Sequence, residues 1–227
     1  MFSFRFLTDF GASSEAWSTL SVLFPFSTLA GDRLLAGSAA TGTLHLLSLT
    51  QYTVDLLACR LLPDPWATYM LNDAALVTLD GQIRLYSASH TGNWIDVQAI
   101  NPVAATLTAL APIAQVGGVA MAVSTLAPLQ LAGQTYLAIA AHDRGTLEIL
   151  HLSTSDAPRL VDRAVEGPKA ILDGVSDMVK DLFLIAASGR RDGLSSFCLH
   201  ADGSLELADR DHERRALGAG ARCAGGG

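Results

Sequence analysis

Residues 131–152 read LAGQTYLAIAAHDRGTLEILHL, and the fold prediction begins from this stretch. A short turn at 132–134 leads into an apolar run from 135 to 141. The polar residues 142–145 interrupt the apolar sequence, and a second apolar run follows at 146–152. Short apolar runs bounded by turn residues are typical of β-strands. The stretch therefore predicts two antiparallel strands joined by a polar loop.

The same design appears three more times, as strand, tight turn, strand, polar loop ending in glycine, strand, turn and strand. The loop glycines are Gly42, Gly81, Gly145 and Gly193. Their spacing is irregular but near the ~40–50 residues of a four-stranded propeller blade. One such sheet cannot bury both faces, so it has to stack on a neighbour. The pattern predicts an all-β fold, a β-propeller forming a partial ring of four to five antiparallel four-stranded blades.

This prediction divides the chain into an N-terminal strand with its connection, a row of blades and a tail. The N-terminal strand and its connection cover 1–16. The Ala/Gly-rich tail covers 214–227, and we expect this tail to be disordered. The propeller covers 17–213, with blades at 17–62, 66–100, 119–166 and 168–209, and with 101–118 as an insertion or a degenerate hairpin. Within the second blade, Asn72-Asp73 is predicted to be a hairpin turn.

The bulk composition excludes several classes of function. The net charge of -7 and the pI near 5.2 disfavour binding to nucleic acid or to an anionic membrane surface. No uninterrupted apolar run approaches the ~20 residues needed to cross a bilayer, so no membrane span is predicted. The N-terminus has no basic segment followed by a clean apolar stretch, so no signal peptide is predicted there either. Export by a route without such a signal stays open.

The three cysteines do not indicate a metal site. Cys59, Cys198 and Cys223 lie far apart and have no Cys/His ligand spacing, so a zinc site is not expected. Cys59 and Cys198 both lie in apolar runs, and we predict that each is a small buried side chain. The odd count excludes a fully paired set of intramolecular disulfides.

Residues 119–209 resemble the blades of the lactonase-like β-propeller family, and more closely the propeller region of bacterial secreted RTX-type calcium-binding proteins. The resemblance lies in LAGQTYLAIA at 131–140, LFLIAA at 182–187, DGLSSF at 192–197 and ADGSL at 201–205. It implies an extracellular location and a ring of about seven blades. The family's calcium-binding nonapeptide repeat is absent here, so no cofactor is evident, although calcium binding is expected of the parent family. The irregular tail suggests a truncated or frame-shifted propeller.

Polar residues of the predicted middle loops are the candidates for chemistry. His142 with the adjacent Asp143 is a candidate general base, and Asp192 is the third catalytic candidate. Asp80, Asp143 and Asp192 are predicted to occupy equivalent positions, where their carboxylates could bind a divalent cation. The alternative for all of them is a solvated turn residue, since aspartate is common in turns for backbone reasons.

Two functions follow as hypotheses. The first is a non-catalytic binding or structural propeller segment of a larger, exported bacterial protein, with a protein or carbohydrate ligand. The second is a lactonase-like hydrolase that uses residues at the mouth of the central channel. A partial ring also leaves open sheet edges, which predicts self-association.

Overall fold

The structure of the chain is a computed structural model that describes part of its residues. The residues described are 20–38, 41–50, 53–61, 71–89, 94–114, 123–141, 146–154, 157–164, 170–176, 182–188 and 193–211. The predicted strand Phe2–Leu7, the loops 142–145 and 189–192, and the tail 214–227 lie outside these residues.

The first half of the chain forms two antiparallel sheets. The first sheet contains β1 (Leu20–Thr28), β2 (Gly31–Ser38), β3 (Thr43–Leu49) and β4 (Val54–Leu61). The second sheet contains β5 (Leu71–Leu79), β6 (Gln82–Ser89), β7 (Trp94–Asn101), β8 (Thr106–Ala109) and the short β9 (Ile113–Ala114). Both β8 and β9 pair with β7.

The second half of the chain forms two further sheets of the same kind. The third sheet contains β10 (Val123–Leu131), β11 (Gln134–Ala141), β12 (Thr146–Leu152) and β13 (Arg159–Ala164). The fourth sheet contains β14 (Ala170–Ser176), β15 (Leu182–Ser188), β16 (Gly193–Leu199) and β17 (Leu205–Asp211). The residues described contain no helix, which confirms the predicted all-β class. These residues accordingly include no helix that is long and apolar enough to span a membrane.

In the second and third sheets, the conformation of the turn between the first and second strands follows from the two central residues of that turn. Asp80-Gly81 and Ala132-Gly133 each connect two strands, and all four residues have positive φ, between 47° and 77°. A two-residue turn with positive φ at both positions is the type I′ turn, whose twist matches that of the flanking strands. Glycine at the second position adopts this conformation without steric cost. The sequence therefore fixes these two hairpins locally.

Two details of the second sheet correct the sequence prediction. Asn72-Asp73 is not a hairpin turn, because Leu71–Leu79 is one continuous strand with a bulge between Leu71 and Asp73. The other three first strands carry a bulge near the same end. Leu71 is the first described residue of this strand, and the fourth strand of the sheet is Thr106–Ala109, inside the stretch predicted to be an insertion or a degenerate hairpin.

The four sheets stack in chain order through three apolar interfaces. Leu44 and Leu46 of the first sheet pack against Leu85 and Ile100 of the second sheet. The second interface joins second-sheet and third-sheet side chains, including Tyr86, Ile95, Leu137, Ile139 and Leu150. The third interface includes Tyr136, Ile149, Leu184 and Phe197. Burying one such side chain contributes about 1.5–3 kcal/mol, so this stacking is the main source of stability.

Hydrogen bonds between neighbouring sheets fix how the sheets sit on one another. Asp73 on β5 accepts a bond from the backbone N–H of Leu126 on β10, with an N–O distance of 2.6 Å. Asp162 on β13 accepts one from the N–H of Leu205 on β17 at 2.7 Å. The first bond joins two first strands and the second joins two fourth strands. The stack is therefore tied along both edges of its sheets.

Candidate functional site

The predicted catalytic residues belong to the connections between the second and third strands of the sheets. His142 and Asp143 lie between β11 and β12, and Asp192 lies between β15 and β16. These connections all leave their sheets at the same end, since each follows a second strand in an antiparallel meander. Their side chains lie outside the residues described, so the catalytic assignment stays a prediction.

Asp80 does not share this end of the molecule. It lies in the turn between β5 and β6, which is a connection between the first and second strands. Its Oδ2 accepts a hydrogen bond from Thr154 Oγ1 at 2.7 Å, and Thr154 follows the third strand of the next sheet. Successive connections of a meander alternate between its two ends. The prediction that Asp80 is equivalent to Asp143 and Asp192 is therefore wrong.

The described residues contain no cluster of three or more His, Cys, Asp or Glu side chains that could hold a metal ion. Asp80 therefore belongs to no such cluster within that part of the chain. Asp143 and Asp192 remain two predicted carboxylate ligands at the other end of the sheets.

Sequence reasoning missed a set of buried ionisable side chains on the third strands. His45, Asp96 and Glu148 pair across to the second-strand residues Ala36, Ser87 and Ile139, respectively. Their exposed fractions are 5%, 4% and 2%. In each case the residue is the third of its strand, after Thr43-Leu44, Trp94-Ile95 and Thr146-Leu147. A polar residue at this fixed distance from the loop was the signal that could have revealed them.

Asp96 lies between the first and second sheets. Burial raises the pKa of its carboxyl group, while a hydrogen bond from Gln98 and the charge of Arg60 act in the opposite direction. Arg60 belongs to the first sheet, and its Nη1 donates to the backbone oxygen of Leu107 on the second sheet at 3.5 Å. A buried carboxyl with a nearby cation is well suited to hold two sheets in register.

Glu148 has a partner of its own within the third sheet. Its Oε1 is 2.6 Å from Nη2 of Arg163, its neighbour on β13. Burial raises the pKa of Glu148, and the positive charge and hydrogen bond of Arg163 oppose this rise. The carboxyl group is thus both desolvated and paired, which makes loss of the arginine costly.

His45 is the third member of the set. Its Nε2 is 2.9 Å from Thr43 Oγ1, two residues earlier on the same strand. Burial lowers the pKa of the imidazole, so the neutral form is favoured in the folded protein.

These three groups do not form one catalytic centre. Asp96 shares a side of its sheet with Ile100 and faces the first sheet, whereas Glu148 shares a side with Leu152 and faces the second. Each group therefore sits in or beside a different layer of the stack. They are not gathered at one place, and the loop end of the sheets remains the predicted active site.

Comparison with solved structures identifies the architecture. The chain is similar to a protein provisionally described as a 6-phosphogluconolactonase from Bacteroides uniformis, with a TM-score of 0.60, 14% identity and coverage of 78% of this chain and 54% of that chain. It is also similar to the periplasmic gluconolactonase of Pseudomonas aeruginosa, with a TM-score of 0.58, 15% identity and coverage of 82% and 55%. The fold is a β-propeller. Each sheet is therefore a blade, as predicted.

The propeller fold also occurs with a different activity. An exo-β-1,3-galactanase from Phanerochaete chrysosporium matches with a TM-score of 0.58 at 10% identity, over 83% of this chain and 49% of that chain. The chain spans about half the length of these three solved structures. No protein-family model and no curated protein sequence matches it. The likeness is to lactonase-like propellers; closeness to RTX-type proteins stays a prediction.

Proposed function

We propose that this chain supplies four blades of a lactonase-like propeller that hydrolyses a sugar lactone. The observation that carries the proposal is the likeness of these four stacked blades to gluconolactonases. The comparisons favour this function over a non-catalytic segment of an exported protein, for which they offer no support. Because the chain spans about half of each matched protein, the complete ring would include further blades.

The proposed site is the end of the blades at which the connections between second and third strands emerge. Hydrolysis of a lactone requires a base that takes a proton from the attacking water and a group that orients this base. His142 is proposed as the base and Asp143 as the group that orients it. Asp192 comes from the equivalent connection of the next blade and would complete the polar lining. Asp80 is excluded from this site because it lies at the opposite end.

A divalent cation is a separate element of the proposal. Carboxylate oxygens are the ligands that calcium prefers, and Asp143 and Asp192 are the two candidates at this end. The cation would polarise the lactone carbonyl and stabilise the charge that develops on its oxygen.

The test is hydrolysis of gluconolactone followed by alkali uptake at constant pH, with calcium and with chelator. We expect His142→Ala to lower the enzymatic rate by roughly 100-fold or more, which is the usual contribution of a general base. Asp143→Asn and Asp192→Asn are expected to lower it less. Asp80→Asn is the matched control and should keep the wild-type rate.

Two results would overturn the proposal. One is a wild-type rate that does not exceed the rate in buffer under either metal condition. The other is an Asp80→Asn variant that loses as much activity as His142→Ala, because the proposed location of the site would then be wrong.

A further inference from the structure

Three polar side chains of the second blade point into the space between the first and second blades. Ser87 and Asp96 lie directly opposite each other on β6 and β7, and Gln98 follows Asp96 on the same side of β7. This side faces the first blade, because Ile100, which shares it, packs in the apolar interface that contains Leu44. The three polar side chains are 0% to 4% exposed, so bulk solvent does not hydrate them.

Two atoms of this group have no hydrogen-bond partner among the residues that the structure describes. They are Ser87 Oγ and Gln98 Oε1. Ser87 Oγ does not bond to Asp96, although the two residues are cross-strand neighbours. Gln98 donates to Asp96 through its Nε2, and its Oε1 is left as an acceptor without a described donor. A buried polar atom without a partner is destabilising, so both atoms require a partner that the described side chains do not supply.

The first blade contributes a donor to the same space. Arg60 on β4 pairs with Leu44 on β3, so its side chain leaves the blade on the side that faces the second blade. Its Nε is buried and also lacks a hydrogen-bond partner in the described part of the chain. Burial raises the pKa of Asp96, and a hydrogen bond from Gln98 and the charge of Arg60 oppose this rise. The guanidinium group is therefore close to this carboxyl group.

The first blade has no side chain at one position near these polar atoms. Gly37 on β2 pairs with Leu44 and therefore lies on the side that faces the second blade. It is buried and lies one residue from the end of its strand, and Ser87 and Asp96 lie near the same end of β6 and β7. Because glycine has no Cβ, it fills less of the space between the blades here than any other residue would.

We propose that an internal water molecule occupies this space and links the first blade to the second. It accepts a hydrogen bond from Arg60 Nε, donates one to Gln98 Oε1 and forms a third with Ser87 Oγ. Three hydrogen bonds are about the usual number for a buried water. A cation would lie next to the guanidinium group of Arg60, and an anion would lie next to the carboxyl group of Asp96. These opposite charges favour a neutral molecule that both donates and accepts.

This water provides a polar contact where the direct one is long. Arg60 Nη1 is 3.5 Å from the backbone oxygen of Leu107 on the second blade, which is beyond the usual range of N–H···O hydrogen bonds. Between the second and third blades, the backbone nitrogen of Leu126 is 2.6 Å from Asp73 Oδ2. Water-mediated hydrogen bonds are nearly as favourable as direct ones. The first two blades are thus joined through water where the next two are joined directly.

The test detects bound water in the isotope-labelled full chain by magnetic resonance. We expect a nuclear Overhauser cross-peak between a long-lived water and the Nε–H proton of Arg60 in the wild type. Ser87→Val puts methyl groups in place of the hydroxyl group, so it should lose this cross-peak and lower the number of long-lived waters, counted by oxygen relaxation dispersion, by one. Thr108→Val is the matched control, because it replaces an exposed hydroxyl group on the same sheet, and it should keep both signals.

Three results would overturn the proposal. One is the absence of the Arg60 cross-peak in the wild type, a measurement that does not depend on the folding of any variant. Another is an equal number of long-lived waters in the wild type and in folded Ser87→Val, because the water would then lie elsewhere. The third is a metal ion that remains bound to the dialysed wild type in a one-to-one ratio and is lost from Ser87→Val, because the occupant would then be a cation.

Discussion

Gly203 offers a sharp test of how the third and fourth blades pack. It lies in the turn between β16 and β17 with φ of +87°. A Cβ atom at this position would be 2.6 Å from Cγ1 of Val161 and 2.9 Å from Cε1 of Tyr136, both on the third blade. These distances are well inside van der Waals contact, so Gly203→Ala requires the side chains of Val161 and Tyr136 or the turn itself to shift.

The expected cost has two parts. A non-glycine residue with positive φ costs about 1–2 kcal/mol. Forcing an extra methyl group into a packed interface costs about 1–3 kcal/mol more. We therefore expect Gly203→Ala to lower the free energy of unfolding by about 2–5 kcal/mol. Gly133→Ala is the matched control, because Gly133 has φ of +74° and no atom within 4 Å of its Cβ position.

Urea unfolding of both variants measures the difference, and the denatured-state effect of replacing glycine largely cancels between them. Adding Val161→Ala removes the atom closest to the new methyl group. The double variant should show a coupling energy of roughly 1–2 kcal/mol. If Gly203→Ala is no more destabilising than Gly133→Ala, the close approach of these two blades is wrong.

Two further predictions concern the half-buried Asp73 and the buried Asp96. Asp73→Ala should lower the free energy of unfolding by about 2–4 kcal/mol, measured with urea, because the Leu126 amide loses its acceptor. Asp73→Asn should lower it by about half as much. If both variants unfold at the wild-type urea concentration, this hydrogen bond does not tie the two blades together. For Asp96 the pKa is raised in the folded state by burial, so its contribution to stability is fully present below about pH 4 and is lost as the pH rises through the folded pKa. Asp96→Asn should therefore reduce the fall in unfolding free energy between pH 4 and pH 8, and an unchanged pH profile would refute this role.

The cysteines illustrate how strand position decides exposure. Cys198 is fully buried and disulfide-bonded, whereas Cys59 is a free thiol and exposed, contrary to the prediction that both are buried. Both lie in apolar runs. Cys59 is on the outermost strand of its blade, where it pairs with His45. Apolar neighbours in sequence indicate a strand, but they do not say whether it is a central strand or the outermost strand of its sheet.

The error over Asp80 has one physical cause. The sequence Asn72-Asp73 is typical of a turn, but in the structure it lies at a bulge within one strand. Predicting a turn there divides this strand into two and places the later connections of that blade at the wrong end of the sheet. In a meander each extra strand reverses the chain direction. A local misassignment of two residues thus moved a candidate ligand to the opposite side of the molecule.

Local sequence was sufficient to predict the all-β class, the four-stranded design of the units and most of the tight turns, because these depend on local alternation and on the φ preferences of a few residues. It also located the loops that carry His142, Asp143 and Asp192. The burial of His45, Asp96 and Glu148 at one shared strand position became visible only in the folded chain. For Asp96 and Glu148 that burial depends on the neighbouring sheet that covers each side chain, and no local pattern encodes the position of a neighbouring sheet.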